Sequence, residues 1–242
     1  MPTRPGRRGR RAITVISLAA LALLVLPPAA HAWANGDRYG NGFGTHDWVL
    51  YEARRLADSR GYHWLVWSEA QPRTDDPDTK IGDTWYHCYD VWGAAYGDAP
   101  ARVDRLYDAV VEALRDGDRG RASRKFGLLA HYFADVCNPT HTDGSTAERR
   151  MHAAHESAVD TRTNAKGERR AWISFNGIQV RTDVRAATVA AARWSHQYYA
   201  ALVKSYNADG YSSRVNTITK RCLNRAVNDL ADLIVSARKA AG

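Results

Sequence analysis

Apolar side chains recur every three or four positions along most of the chain, which is the spacing of amphipathic helices. Thr45 can cap the first such segment, which reaches a stop at Gly61. Asp98 followed by Pro100 opens a second helix, and Asp118 can cap a third. The first half of the chain after residue 44 is therefore predicted to be helical.

The second half continues this pattern. The capping box Ser145-Thr-Ala-Glu148 predicts a helix that runs through at least Ala158. Longer helical patterns run from Asp183 to about Tyr206 and from about Asn216 to Ala240, and only residues 171–180 have an extended pattern. We predict an all-α fold of six to nine helices. Because no repeat or low-complexity linker follows residue 32, residues 33–242 are predicted to form a single multi-helix domain.

The first 32 residues have the pattern of a secretory signal peptide. Five arginines precede an apolar run from Ala12 to Leu26, and the small-x-small sequence Ala30-His31-Ala32 follows. The run is shorter than the roughly 20 apolar residues of a membrane-spanning helix. Arg10-Arg11 fits a twin-arginine export signal only loosely, so the export route stays open. We therefore expect a secreted, extracellular protein that begins at Trp33.

Removal of this segment changes the charge balance. The whole chain has 34 Lys and Arg against 26 Asp and Glu, or +8. Without the five leader arginines, 29 basic residues face 26 acidic ones, or +3. This near-neutral charge disfavours a nuclease that relies on a basic track. For Cys88, Cys137 and Cys222, an oxidising compartment predicts one disulfide and one free thiol, with the pairing left open.

Two helices each carry a histidine and a carboxylate four residues apart. They are His131 with Asp135 and His152 with Glu156, and His141 lies in the loop between them. Side chains at i and i+4 share one helix face, and imidazole and carboxylate are ligands that zinc accepts. One such pair is commonly a surface ion pair, whereas two pairs with an intervening histidine indicate a multinuclear metal site. His63, His155 and His196 are predicted not to be ligands.

These residues also match a known family. Trp33 follows the predicted cleavage site, His46 lies thirteen residues later, and His87 follows a group of aspartates. The H-Y-x-x-D-x-x-x-P-x-H pattern of the family matches residues 131–141, and its H-x-x-x-E pattern matches residues 152–156. The chain resembles the bacterial zinc-dependent phospholipase C family, whose fold the S1/P1 nucleases share. The match covers residues 33–156.

The resemblance implies three zinc ions. The first would be held by Asp75, His87, His131 and Asp135. The second would be held by His141, His152 and Glu156. The third would be held by the amino nitrogen and carbonyl oxygen of Trp33, by His46 and by Asp135 as a bridge. Asp75 has the family spacing to His87, but Asp76 is a serious rival, and Asp78 and Asp83 are further candidates.

The activity implied is that of a phospholipase C, which hydrolyses the glycerol-side phosphodiester bond of phospholipids with zinc-activated water. Asp75 or its neighbour would accept the proton of that water. The thirteen-residue interval from Trp33 to His46, the closing Glu156 and the short gap from His141 to His152 favour this branch over the nucleases. The expected partner is phospholipid at a membrane surface, acted on by a monomer without a stable protein partner. Two alternatives stay open: a zinc-dependent phosphodiesterase or nuclease on single-stranded nucleic acid, and a non-catalytic secreted metal-binding protein.

Overall fold

The computed structural model describes residues 42–93, 96–144 and 151–242. The predicted signal peptide, Trp33 and the capping box at 145–148 lie outside the described residues. The described residues contain these α-helices: α1 (Thr45–Asp58), α2 (Trp67–Ala70), α3 (Ala99–Arg115), α4 (Arg119–Val136), α5 (His152–Thr163), α6 (Val184–His196), α7 (Tyr199–Asp209) and α8 (Ser213–Ala241). No strand occurs among these residues, so the predicted all-α fold is confirmed. None of the described helices is long and apolar enough to cross a membrane.

The long helix α8 contributes many of the buried side chains of the core. It packs against α1, α3 and α7, and α4 packs in turn against α3 and α1. Trp48 of α1, Phe126 of α4 and Leu230 of α8 are fully buried in one shared core. Burial of a large apolar side chain is worth about 1.5–3 kcal/mol. This core holds α1 and α4, and with them the metal-ligand candidates that these two helices carry, in fixed positions.

The predicted helix starts are partly confirmed. Asp98 accepts a hydrogen bond from the Ala101 backbone N–H at 3.4 Å, and Asp118 accepts one from Arg121 at 2.8 Å. The prediction for α1 was one residue off, because Gly44 is the N-cap and its N–H donates to Asp47 at 2.8 Å. The long pattern that begins at Asp183 is divided into α6 and α7 by a break at residues 197–198.

The extended segment predicted at 171–180 is confirmed in part: Arg170–Trp172 form a 3₁₀ turn, and residues 173–181 run without helix or strand along α8. Backbone N–H groups of residues 174, 176, 179 and 181 donate to side-chain oxygens of residues 224, 228, 232 and 236, at 2.7–3.1 Å. Four helical residues rise about 6 Å, which is close to the span of two extended residues. Between residues 176 and 179, three residues of the segment instead of two span one four-residue interval of α8, and Gly177, at φ +88°, lies there. Polar side chains of α8 therefore accept the backbone hydrogen bonds of this segment in place of a partner strand.

The predicted disulfide was wrong. Cys88, Cys137 and Cys222 are all free thiols, and all three are buried. Cys137 belongs to the main core, whereas Cys222 packs in a separate apolar cluster with Leu202 and Ile218. Burial raises the pKa of the Cys137 and Cys222 thiols, which keeps both protonated and unreactive. These thiols act as small apolar core residues.

Candidate metal centre

The first cluster of ligand atoms forms around one turn of α4. His131 and Asp135 are fully buried and lie one turn apart, with His131 Nε2 3.3 Å from Asp135 Oδ2. His87 ends a short 3₁₀ turn, Thr84–His87, that brings its Nδ1 to 2.9 Å from Asp135 Oδ2 and 3.1 Å from His131 Nε2. Two imidazoles and a carboxylate therefore converge on one point.

Asp135 also connects this cluster to α1. Its second oxygen, Oδ1, lies 3.0 Å from His46 Nε2, and the His46 ring stacks on the His131 ring at 3.9 Å between centroids. The carboxylate thus has one oxygen toward His87 and His131 and the other toward His46. That orientation suits the bridging role that the family resemblance implies for Asp135.

The carboxylate nearest the first cluster from the aspartate group is Asp78. Its Oδ1 lies 3.5 Å from His87 Nδ1 and 3.7 Å from His131 Nε2, and its side chain is only 4% exposed. Asp75, which the family spacing favoured, belongs to none of the groups of converging ligand atoms. Asp76 is engaged by Arg73 and Lys80, both at 2.7 Å. Asp78 is therefore the aspartate that the structure places beside the first cluster, while the ligand role of Asp75 stays a prediction.

The local backbone explains why Asp78 rather than Asp75 lies beside the first cluster. Residues Pro77–Ile81 form a π-helical turn, which has more residues per turn than an α-helix. The turn places Asp78 on the inner side, while the Asp75 carbonyl accepts hydrogen bonds from Thr79 N and Oγ1. Asp83, the fourth candidate, lies on the outer side of His87, 3.7 Å from its Nε2, and accepts a hydrogen bond from Tyr132.

The second cluster joins the loop after α4 to the first turns of α5. His152 Nε2 lies 2.6 Å from Glu156 Oε1 and 3.0 Å from His141 Nε2, and His141 Nε2 lies 3.2 Å from Glu156 Oε1. All three side chains are buried. Asn138 donates from Nδ2 to the same Glu156 oxygen at 3.2 Å. The motif thus contains an orienting residue, Asn138, that the sequence-based analysis missed.

Backbone carbonyls orient two of the imidazoles. His131 Nδ1 donates to the Thr74 carbonyl, and His141 Nδ1 donates to the His87 carbonyl at 3.0 Å. Because a donating nitrogen carries the proton, a neutral ring keeps its lone pair on the other nitrogen, Nε2. Both Nε2 atoms point into their clusters, where the neutral form of each ring would offer a lone pair to a metal ion. The His87–His141 contact also links the two clusters directly.

The charge within the clusters calls for a cation. Among the described residues, the ion pairs of Asp135 and Glu156 are formed with histidines, and Asp78 also lies within 4 Å of the His87 and His131 rings. Burial opposes ionisation of His131, but Asp135 and Asp78 outweigh it and raise the pKa of His131 to about 9. Burial likewise raises the pKa of Asp135, yet His131 and the hydrogen bonds from His46 and His87 hold it well below the usual range. Buried carboxylates of this kind are stable only with a counter-charge.

The donor set fits zinc. Ligand atoms about 2.0–2.1 Å from zinc at tetrahedral angles lie about 3.3–3.4 Å from one another. The separations between ligand atoms of different residues run from 2.6 to 3.2 Å in the second cluster and from 2.9 to 3.7 Å in the first. His46 adds a buried nitrogen, Nδ1, that has no hydrogen-bond partner within the described residues. The residues could therefore hold two metal ions, and His46 with Asp135 offers part of a third site.

The other histidines lie outside both clusters. His155 is buried, contacts Thr219 Oγ1 at 3.2 Å, and has its pKa lowered to about 4 by burial. It is therefore packed rather than solvated. His196 lies 3.1 Å from Thr142 Oγ1, and His63 is exposed with only an ion pair to Asp58. Cys88, whose Sγ lies 3.7 Å from His141 Nδ1, is a neighbour of the second cluster that no sequence pattern indicated.

Fold and site together define an all-helical protein with two linked clusters of histidine and carboxylate ligands. No family model and no curated protein matches the sequence. Among solved structures, the chain is similar to the alpha-toxin of Clostridium perfringens avian strain SWCP, with 15% identity, a TM-score of 0.54 and coverage of 83% of this chain. It is also similar to the alpha toxin of Clostridium absonum, with 13% identity, a TM-score of 0.52 and coverage of 81%. The chain spans 64% and 63% of those two proteins. The predicted resemblance is confirmed at the level of the fold.

Proposed function

We propose that this chain is a secreted, zinc-dependent phosphodiester hydrolase of the phospholipase C type. The observation that carries the proposal is the convergence of two buried ligand clusters, joined through His87 and His141, on the fold of the alpha-toxins. The first ion would be held by Asp78, His87, His131 and Asp135. The second would be held by His141, His152 and Glu156. The third would be held by Trp33, His46 and Asp135.

Zinc bound in such clusters polarises phosphoryl oxygens, lowers the pKa of water and stabilises the charge that develops in an in-line displacement. The protein supplies orientation. The Thr74 and His87 carbonyls fix the rings of His131 and His141, and Asn138 fixes the Glu156 carboxylate. Asp78 takes the role first assigned to Asp75: its carboxylate accepts the proton of the attacking water.

Exposed apolar side chains in the segment that carries His87 favour a lipid substrate. The described residues include five large apolar side chains that are exposed, and four of them lie between residues 81 and 96: Ile81, Trp85, Trp92 and Tyr96. We call these four, three of which are aromatic, the apolar rim. Trp92 is 77% exposed, and the Tyr96 hydroxyl lies 3.5 Å from Cys88 Sγ, next to His141. Trp and Tyr are enriched where proteins meet a membrane interface. The rim supports phospholipid at a membrane surface as the substrate.

Hydrolysis on the glycerol side of the phosphate is expected to yield diacylglycerol and a phosphorylated headgroup. Purified mature protein, loaded with zinc, should release both from phosphatidylcholine vesicles at equal rates, measured by mass spectrometry. Single-stranded DNA assayed in parallel tests the nuclease alternative. Release of free fatty acid or phosphatidic acid, or faster hydrolysis of the DNA, would overturn the phospholipase C assignment. No turnover of either substrate by zinc-loaded protein would favour a non-catalytic metal-binding protein.

The assignment of Asp78 can be tested against Asp75 directly. Asp78→Asn keeps the shape of the side chain but removes the charge next to His87 and His131, so zinc content and activity should both fall. The expected loss of rate is about 100-fold or more, since a bound metal contributes several kcal/mol to transition-state stabilisation. Asp75→Asn is the matched control, and it should keep zinc content and nearly full activity. The opposite pattern in elemental analysis and initial rates would restore Asp75.

A further inference from the structure

Three positively charged side chains surround a cavity that the metal centre does not use. Arg162, Arg169 and Lys220 line it, its volume is about 320 Å³, and no acidic side chain is among the described residues that line it. Arg162 lies six residues after Glu156 on α5, which places it about 240° around the helix axis from that ligand. The cavity therefore opens on a different face of α5 from the second cluster. We call it the basic cavity.

Aromatic rings hold these cations in place. The Arg162 guanidinium lies 3.9 Å from the centre of the Tyr211 ring, and Lys220 and Arg169 lie 5.3 and 5.8 Å from the centre of the Trp172 ring. None of the three forms an ion pair within the described part of the chain. An aromatic ring attracts a cation but carries no net charge. The three positive charges are therefore positioned but not neutralised.

The amino end of α8 forms the floor of the same cavity. Ser212 is the N-cap of this 29-residue helix, and Ser213 and Asn216 of its first turn line the cavity together with Ser212. The first N–H groups of a helix lack partners within the helix, and the aligned peptide dipoles add a partial positive charge there. Ser212 Oγ accepts a hydrogen bond from the Val215 N–H at 3.4 Å. Polar side chains, the positive end of the helix dipole and three cations thus surround one concave surface.

We propose that the basic cavity binds the phosphate group of a phosphate monoester. Three unneutralised cations match a group that carries close to two negative charges and presents three acceptor oxygens. The volume lies at the lower end of the 300–1,000 Å³ range of small-molecule sites, so it accommodates a phosphate with a modest attached group. The attached group lies against Trp172 and Tyr211. The phosphate monoester comes from solution or from a lipid headgroup.

The test measures ligand binding at the basic cavity and does not measure catalysis. Backbone amide signals of Ser213 and Val215 and the indole signal of Trp172 are recorded by nuclear magnetic resonance while zinc-loaded protein is titrated. The probes are inorganic phosphate and micelles of dodecyl phosphate, a monoester that contains no diester bond. Saturable shifts of these signals are expected. A response to both probes identifies soluble phosphate as sufficient, and a response to the micelles alone identifies a lipid headgroup.

Charge removal provides the decisive comparison. The double variant Arg169→Gln/Lys220→Gln should bind the effective probe about tenfold more weakly or worse, since hydrogen bonds to charged groups are the strong ones. Lys204→Gln/Arg214→Gln removes the same charge from exposed positions outside the cavity and should change the affinity little. Both variants should keep zinc content and hydrolysis. An absence of saturable shifts with either probe, or equal losses in the two variants, would overturn the proposal. Because these signals do not depend on turnover, failure here leaves the proposed hydrolase activity untouched.

Discussion

His131→Ala is expected to remove zinc from the first cluster and to lower the rate of phosphodiester hydrolysis by about 1,000-fold. His131 Nδ1 donates a hydrogen bond to the Thr74 carbonyl, which directs Nε2 toward His87, Asp78 and Asp135. Without His131, the proposed first ion keeps only three of its four ligands, Asp78, His87 and Asp135. A metal used as a Lewis acid contributes several kcal/mol, and each 1.36 kcal/mol is a factor of ten in rate. Elemental analysis and initial rates measure the two effects.

Asp135→Asn should act more broadly than His131→Ala, because Asp135 has one oxygen toward His46 and the other toward His87. We expect it to lower zinc by more than one ion per chain. His63→Ala is the matched control, since the His63 side chain is exposed, forms an ion pair with Asp58 and lies outside both clusters. It should leave zinc and rate unchanged. Normal zinc content in both His131→Ala and Asp135→Asn would refute the proposed ligand sets.

Local periodicity explains why much of this site was predictable. An i, i+4 pair on a regular helix fixes the relative placement of its side chains, and His131 with Asp135 and His152 with Glu156 are such pairs. The helices that carry them were also predictable, since Asp118 caps α4 as expected. The structure brings the two pairs together with His87 and His141, as the family motifs implied.

The aspartate was harder to predict because it lies in an irregular segment. Between Gln71 and His87 the chain forms two 3₁₀ turns with a π-helical turn between them. Spacing along the sequence does not determine which side chain points inward there, so the interval to His87 favoured Asp75 although Asp78 faces the cluster. The disulfide failed for a related reason. Pairing depends on the distance between thiols in the folded core, and three cysteines far apart in sequence carry no information on that distance.

The basic cavity could not be found from sequence either. Arg162, Arg169 and Lys220 belong to three different segments, and each looks like an ordinary solvated charge in its own context. Only packing of α5 and α8 brings them around Tyr211 and Trp172. Sequence patterns therefore predict sites that lie within one helix, whereas sites that are assembled from the surfaces of several elements require the structure.

Two extra residues before Trp33 are expected to lower zinc content from three ions to two and to reduce activity by about 100-fold or more. The proposed third site would need a free α-amino group at Trp33, because an amide nitrogen has a delocalised lone pair and cannot serve as an ordinary ligand. A free α-amino group has a pKa of about 7.7–8.0, so zinc displaces its proton at modest cost near neutral pH. The other proposed ligands of this site lie among the described residues, where His46 Nε2 is buried 3.0 Å from Asp135 Oδ1.

The matched control carries a longer extension that ends in a protease recognition sequence directly before Trp33, so that cleavage makes Trp33 the first residue again. Cleaved protein should regain the third zinc and full activity, whereas the helical content measured by circular dichroism should be the same before and after cleavage. Since α1 begins at Thr45, twelve residues after Trp33, the extension does not alter the helices that hold the other ligands. Full zinc content and activity in the uncleaved protein would show that Trp33 does not act as a ligand through its amine. In that case His46 and Asp135 would contact each other simply as a buried pair, and signal cleavage would have no part in assembling the site.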